Sequence, residues 1–236
     1  MIDKKNFTEE LEMLGVSVSD RQFGRFDKYA EMLVSYNEKV NLTALTAPED
    51  IAEKHFIDSI LPFLHFSLKK NASVIDVGTG AGFPSCPLKI VKEDIALTLV
   101  DSLNKRVNFL KMLSDELSLD AKCIHARAEE LGKDPDYREK FDIATARAVA
   151  NLPMLCEYCM PFVKIGGYFI ALKGSRGTEE AKEAYTSIKT LGGKLEKVCE
   201  YSLPSGDSRT LIVIKKISQT PSKYPRNKGV MTKKPL

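Results

Sequence analysis

The pattern of apolar and polar positions divides the chain into two unlike parts. Over the first 70 residues apolar side chains recur every three or four positions, which predicts amphipathic helices. Ser19 and Gln22 have the spacing of a capping box at the start of one helix, and Pro48 with the acids after it suits the first turn of another. We therefore expect residues 1–70 to form a helical extension packed on the rest of the chain.

From residue 71 onward, short apolar runs alternate with helical patterns. Predicted strands lie at residues 72–77, 95–101, 121–125, 141–146, 168–172, 194–202 and 210–216. Predicted helices lie at residues 84–91, 105–117 (with Asn104 as N-cap), 128–131, 152–162 and 178–191. Helices between parallel strands cover both faces of a sheet, and two strands without a helix between them form a hairpin. Residues 71–217 are therefore expected to form an α/β core: a mostly parallel seven-stranded sheet with an antiparallel final strand.

Composition narrows the class of protein. Apolar residues make up 43% and charged residues 28% of the 236 residues, as in ordinary soluble domains. No apolar run approaches the ~20 residues that span a bilayer, and the N-terminus lacks the apolar segment of a signal peptide. Five cysteines without a secretory signal predict reduced thiols, and the Cys156/Cys159 pair is interpreted as small buried helix residues. We expect a cytoplasmic monomer.

The charge distribution is uneven although the net charge is only +3. No acidic residue follows Asp207, whereas basic residues stand at Arg209, Lys215, Lys216, Lys223, Arg226, Lys228, Lys233 and Lys234. A basic end on a nearly neutral body suits contacts with nucleic-acid phosphates. On charge alone, a solvated and partly disordered tail over residues 218–236 is an equally good interpretation.

A glycine loop follows the first predicted strand. Asp76 ends the strand, and Gly78, Gly80 and Gly82 follow at alternate positions, where glycine permits positive φ and close approach to a ligand. Dinucleotide folds have a different spacing, G-x-G-x-x-G, and bind a pyrophosphate at the helix N-terminus. Pro84 removes one amide donor from that position. The loop therefore argues against a nicotinamide dehydrogenase.

The sequence from Asp76 to Gly82 resembles the first motif of Rossmann-like class I methyltransferases. In those enzymes the loop passes under the methionine part of S-adenosylmethionine, and an acid at the end of the second strand binds the ribose hydroxyls. Asp101 stands at that place. The resemblance implies that S-adenosylmethionine is the cofactor.

The residues after the fourth strand exclude several classes of methyl acceptor. Residues 144–150 lack the Asn/Asp-Pro-Pro-aromatic turn of amine methyltransferases, and Cys156 and Cys159 lie too far inside the next helix to act as nucleophiles on a base carbon. No His/Asp/Glu cluster has the spacing of metal ligands, so no metal is expected. We assign no general base.

Several segments together resemble the glucose-inhibited division protein B family over nearly the whole chain; they are residues 41–44, 55–59, 76–84, 126–129, 146–150, 172–174 and 224–226. Ser85-Cys86 departs from the family pattern without removing a functional group. The resemblance implies methylation of N7 of a guanosine in 16S ribosomal RNA. The partner would be that RNA or the small ribosomal subunit. Methylation of another RNA, or a catalytically weak RNA assembly factor, remains the alternative.

The resemblance also assigns site residues. The expected cofactor-binding residues are Asp76, Gly78, Gly80, Gly82, Phe83, Asp101, Ala128, Glu129 and Arg147. Arg147 is also the expected positioning residue in catalysis, since a guanidinium can hold a carboxylate or a phosphate through two hydrogen bonds. The expected RNA-binding residues are Lys173, Tyr224, Arg226, Lys228, Lys233 and Lys234. His55 is open between a structural role and a place in the active-site wall or an RNA contact, and Phe83 is open between the core and the cofactor.

Overall fold

A computed structural model describes residues 1–236. Its seven strands are β1 (Ser73–Val77), β2 (Ala96–Asp101), β3 (Lys122–His125), β4 (Phe141–Arg147), β5 (Val163–Lys173), β6 (Gly193–Ser202) and β7 (Ser208–Lys216). They form one sheet in the order β3-β2-β1-β4-β5-β7-β6. Strands β1 to β5 are parallel to one another, and β7 is antiparallel to both β5 and β6. The predicted α/β sheet is confirmed.

Helices cover the sheet and form the N-terminal extension. They are α1 (Lys4–Met13), α2 (Asp20–Val40), α3 (Pro48–Asp50), α4 (Asp58–Ile60), α5 (Ser85–Val91), α6 (Asn104–Glu116), α7 (Ala128–Leu131), α8 (Leu152–Cys159), α9 (Gly177–Glu183), α10 (Tyr185–Thr190) and α11 (Lys228–Lys233). A π-helical turn, Ile51–Ile57, joins α3 to α4, and 3-10 turns follow at Leu61–Leu64 and Met160–Phe162. The capping box of Ser19 and Gln22 opens α2 as predicted. None of the helices is long and apolar enough to cross a bilayer.

Side chains on the two faces of the sheet belong to two separate cores. Val74 and Leu99 point to the face that packs against α1, α2, α5 and α6, so the N-terminal helices share this core. Ile75 and Val100, their neighbours in sequence, point to the other face, against α8 to α10. The alternation follows from the two-residue period of a strand. The sheet is buried on both faces, as parallel sheets are.

Most boundaries agree with the predicted ones to within two residues, and three larger or structurally informative differences remain. Asn104 is the first residue of α6 rather than its N-cap, and the amide of Leu103 donates to the Asp101 carboxylate at 2.9 Å. The predicted helix 178–191 is divided at Ala184 into α9 and α10. The fifth strand begins at Val163, because Phe141 pairs with it across a register shift that the residue pattern does not reveal.

The basic tail, residues 218–236, is folded against the body. Tyr224 is buried, and the Arg226 side chain pairs with the Glu157 carboxylate of α8 at 2.7 Å. The Arg138 guanidinium donates to the carbonyls of Thr220 and Tyr224 at 2.7 and 2.9 Å. Met231 of α11 is buried against the same core as α8. The alternative of a partly disordered tail does not describe this structure.

The pair of Arg226 and Glu157 leads to a prediction about stability. The Glu157 side chain is only 2% exposed, so Arg226→Ala leaves a buried carboxylate without its cation. We expect the free energy of unfolding to fall by about 3 kcal/mol in chemical denaturation. Lys233→Ala, at an exposed position of the same tail, is the control and should change it by less than about 0.5 kcal/mol. Equal effects of the two variants would contradict the role given to the pair.

Candidate functional site

The glycine loop turns sharply at the carboxyl end of β1. Gly78, Gly80 and Gly82 all have positive φ, at 70°, 62° and 103°. The amide of Gly78 donates to the Val100 carbonyl at 2.8 Å, which ties the loop to the neighbouring strand β2. A Cβ on Gly82 would lie 2.6 Å from the Tyr29 hydroxyl oxygen, so no side chain fits there.

Tyr29 of α2 supports the loop from below. Its hydroxyl donates to the Ala81 carbonyl at 2.5 Å, and its ring stacks on Phe83 with centroids 5.3 Å apart. Burial raises the pKa of Tyr29, so the hydroxyl keeps its proton and remains a donor. The N-terminal extension therefore holds the conformation of the loop.

A cleft opens above the loop, between the carboxyl ends of β1, β2 and β4, where the order of the strands reverses. We call it the cofactor cleft. Four expected cofactor residues line it, namely Gly78, Asp101, Ala128 and Glu129. Asp101 is 3% exposed and accepts the Gly80 amide at 3.0 Å, so one carboxylate both lines the cleft and braces the loop.

The residues of this cleft fit S-adenosylmethionine. A Cβ on Gly78 would lie 2.7 Å from the Val149 side chain, so only glycine leaves the floor of the cleft open. The carboxylates of Asp101 and Glu129 suit the hydroxyl and amino donors of a nucleoside. Sequence reasoning missed several lining residues, among them Tyr158 and Val149. These two residues lie after β4, and in this region the resemblance assigns a site role only to Arg147, which ends the strand.

Asp76 does not line the cofactor cleft, although we expected it to bind the cofactor. It is fully buried beneath the loop, where its Oδ2 accepts the Thr79 hydroxyl at 2.9 Å and the Ser85 amide at 3.3 Å. Its Oδ1 has no partner. Burial raises the pKa of this carboxyl to about 7, against the lowering effect of these hydrogen bonds. Asp76 therefore shapes the loop from inside the protein.

Phe83 and Arg147 also lie outside the cofactor cleft. Phe83 is buried between the rings of Tyr29 and His55, and its centroid lies 4.5 Å from that of His55. The Arg147 guanidinium lies over the same ring, 4.9 Å from its centroid. The structure places Phe83 in the core, and Arg147 contacts the end of the loop through the Phe83 ring.

Arg147 lines a second cleft, at the carboxyl ends of β4 and β5, which we call the charged cleft. Its volume is about 530 Å³, against about 150 Å³ for the cofactor cleft. Its charged lining residues are Lys54, Asp58, Arg147, Lys173, Glu180, Asp207 and Arg209. The Arg147 guanidinium reaches the Lys54 carbonyl and the Asp58 carboxylate at 3.3 and 3.5 Å, which are long contacts for hydrogen bonds.

His55 lies in the wall of the charged cleft and is neutral. Its Nδ1 lies 3.5 Å from the Arg147 guanidinium and its Nε2 lies 2.8 Å from the Thr43 hydroxyl. Burial and the nearby guanidinium lower its pKa to about 4. Since Arg147 has only N–H donors, Nδ1 is the acceptor and Nε2 carries the proton. His55 thus has no free lone pair with which to act as a base.

The expected RNA-binding residues do not lie together. The Lys173 side chain is 8% exposed and bonded inside the protein, and Tyr224 and Arg226 hold the tail to the body. Lys228 lines the cofactor cleft, which no sequence signal indicates. Lys233 and Lys234 are exposed. The partner of Arg226 lies 69 residues away in the chain and that of Lys173 lies on the next helix, so neither pairing follows from a local spacing motif.

The raised pKa of Asp76 gives a prediction about pH. An unfolded chain loses this proton near pH 3.8, whereas the folded protein keeps it until about pH 7. Unfolding therefore releases a proton in that window, and the stability contributed by Asp76 falls as the pH rises through it. Because an amide does not titrate, Asp76→Asn should lose less stability between pH 4.5 and pH 7 than the unmodified protein does, as measured by chemical denaturation. The exposed Asp115→Asn variant is the control, and its free energy of unfolding should change with pH as that of the unmodified protein does. The same pH dependence in all three proteins would contradict this assignment.

Comparison with known proteins agrees with the geometry. The family model described as rRNA small subunit methyltransferase G matches residues 22–212. The chain is 48% identical to the ribosomal RNA small subunit methyltransferase G of Brevibacillus brevis, over 99% of each chain. It is 50% identical to the protein of the same name from Acetivibrio thermocellus, over 99% of this chain and 96% of that protein.

Solved structures show the same fold at low sequence identity. A SAM-dependent methyltransferase from Aquifex aeolicus superposes with a TM-score of 0.54 and 18% identity, over 74% of this chain and 96% of that one. The fold and the family confirm the prediction of an S-adenosylmethionine-dependent methyltransferase. The chain belongs to the rRNA small subunit methyltransferase G family.

Proposed function

We propose that this protein transfers the methyl group of S-adenosylmethionine to N7 of a guanosine in 16S ribosomal RNA. The observation that carries the proposal is that the two clefts share one wall, the turn between β4 and α8. Arg147 and Ala148 face the charged cleft, and Val149 and Ala150, the next two residues, face the cofactor cleft. The two clefts therefore adjoin along this turn, and the methyl group and the acceptor nitrogen would meet at its edge rather than across it.

Gly78, Asp101 and Glu129 are the residues proposed to hold the cofactor, which supplies an electrophilic methyl group on a sulfonium. Gly78 leaves room for the ligand on the floor of the cleft. Asp101 and Glu129 end or follow neighbouring strands and accept hydrogen bonds from the nucleoside part. These contacts fix the direction in which the methyl group points.

Guanine N7 suits a cleft without a base. It carries a lone pair and no proton, so no group has to remove a proton before it attacks. The side chain nearest to a base, His55, has both ring nitrogens engaged. Rate enhancement then comes from holding the reacting atoms about 3–3.5 Å apart and in line. Asp58 would also stabilise the positive charge that develops on the ring.

Ribosomal RNA as the substrate is supported by the names of the relatives and by the charge of the tail. Lys228, Lys233 and Lys234 stand on or next to α11, in a segment without acids. Their ammonium groups are the proposed phosphate contacts, while Tyr224 and Arg226 keep the tail in place for them. Family membership favours an enzyme over the alternative of a catalytically weak assembly factor.

The function is tested by mapping methylated nucleotides in rRNA from cells with and without the gene. We expect one 7-methylguanosine of 16S rRNA to disappear in the cells that lack it. Purified protein should then restore the modification on RNA or small subunits from those cells, using labelled cofactor. RNA in which 7-deazaguanosine replaces guanosine is the control and should accept no label. A label on that RNA, or an unchanged 16S map, would refute the proposal.

Arg147 lines the charged cleft but stands at the edge where the two clefts adjoin, and it is the proposed contact for the methionine carboxylate there, because its largely buried donors are only weakly satisfied by the protein. A charged hydrogen bond of 1.5–3 kcal/mol predicts a roughly 10- to 100-fold weaker affinity for S-adenosylmethionine in Arg147→Ala, measured by titration calorimetry without RNA. The exposed Arg176→Ala variant should bind the cofactor normally. Normal cofactor affinity with weakened RNA binding in Arg147→Ala would instead assign Arg147 to the acceptor.

A further inference from the structure

The turn between β4 and α8 is tied down by two side chains from outside it. Lys173, the last residue of β5, donates from Nζ to the Ala150 carbonyl at 2.8 Å and pairs with Glu180 at 2.7 Å. Glu180, from α9, accepts the amide of Leu152 at 2.8 Å through the same oxygen. Two backbone groups on either side of Asn151 are thus bonded to one ion pair.

This ion pair is largely withdrawn from solvent. The side chains of Lys173 and Glu180 are 8% and 19% exposed. Leu152 is the first residue of α8, where amides have no partner within the helix and a carboxylate is favoured by the helix dipole. Glu180 therefore satisfies a helix end, and Lys173 neutralises the carboxylate that does so.

The turn itself has little internal support. Ala148 has a φ of 56°, in the left-handed region that residues with a Cβ adopt at a cost. Val149 is 39% exposed and packs closely over Gly78 of the loop. Residues 148–151 belong to neither β4 nor α8. Their position is therefore set by what holds them from outside.

We propose that Lys173 and Glu180 are positioning residues for methyl transfer: they fix the turn that forms the wall shared by the two clefts. The inference rests on the proposed function, since it assigns the charged cleft to the acceptor. Neither residue touches the reacting atoms. They act through the Ala150 carbonyl and the Leu152 amide, which set where Val149 stands.

This role differs in its consequences from the RNA contact that the sequence suggests for Lys173. A phosphate contact contributes to RNA affinity and to its salt dependence, and its loss reduces the salt slope by about one. A positioning residue contributes to kcat, because a misplacement of about 1 Å can cost up to about 100-fold in rate. The two roles are separable by measurement.

The experiment compares Lys173→Met, Glu180→Ala and Glu180→Gln with the unmodified protein, in steady-state methyl transfer to small-subunit RNA at several salt concentrations. We expect Lys173→Met and Glu180→Ala to lower kcat by about 10- to 100-fold, with RNA affinity and its salt slope unchanged. Glu180→Gln keeps an oxygen for the Leu152 amide and should lose less. The double variant Lys173→Met/Glu180→Ala should be no worse than either single one, since the residues act as one unit. Lys182→Met, exposed on the same helix as Glu180, is the matched control.

Two further readouts separate this inference from the proposed function and from simple loss of folding. Hydrogen exchange of the Leu152 amide should accelerate in Glu180→Ala and Lys173→Met, whatever the acceptor is. Thermal unfolding establishes that each variant is folded at the assay temperature. Unchanged kcat in folded variants, unchanged Leu152 exchange, or a loss confined to RNA affinity with a reduced salt slope would each overturn the proposal. Failure to methylate guanosine in the unmodified protein would refute only the proposed function.

Discussion

Phe83 lies in an aromatic stack between Tyr29 and His55, with ring centroids 5.3 and 4.5 Å away. Tyr29 belongs to the N-terminal extension and also bonds the glycine loop, whereas His55 belongs to the π-helical turn and contacts Arg147. The stack therefore connects the extension, the loop and the charged cleft. Because interiors are close-packed, a change in any of these rings shifts the others.

The extension is consequently part of the site and more than a cover for one face of the sheet. Asp58, which follows the π-helical turn, accepts the Arg209 guanidinium at 3.1 Å from both oxygens and lies 3.5 Å from Arg147. A carboxylate from the extension thus orients two cations, one from β7 and one from β4. Burial lowers the pKa of Arg147 and Asp58 counteracts this shift, so the carboxylate offsets part of the cost of burying the guanidinium.

The features that the sequence predicts correctly are those that depend on residues close together in the chain. The strand pattern, the glycine loop and Asp101 follow from local spacing, and the structure brings Gly78, Asp101 and Glu129 into one cleft. The direction of a side chain at a strand end depends on packing, so the burial of Asp76 and Phe83 was not predictable. Arg147 was placed at the correct strand end but in the other cleft.

The roles of the basic residues also depend on contacts that the sequence does not reveal. Lys173 and Arg226 resemble RNA ligands in sequence because their acidic partners lie elsewhere in the chain. Glu157, for example, is 69 residues away from Arg226. A basic residue is free for a ligand only when no carboxylate of the fold reaches it, and only the three-dimensional structure provides that information.

The pair of Glu157 and Arg226 also constrains how such a sequence can change over time. A buried carboxylate on α8 and a guanidinium in the tail form an ion pair. A substitution at one position therefore leaves an unpaired charge at the other, which destabilises the fold. Drift in the tail is therefore restricted although most of its side chains face water. Lineages that alter Arg226 should alter Glu157 as well, so that the two positions are inherited as a pair.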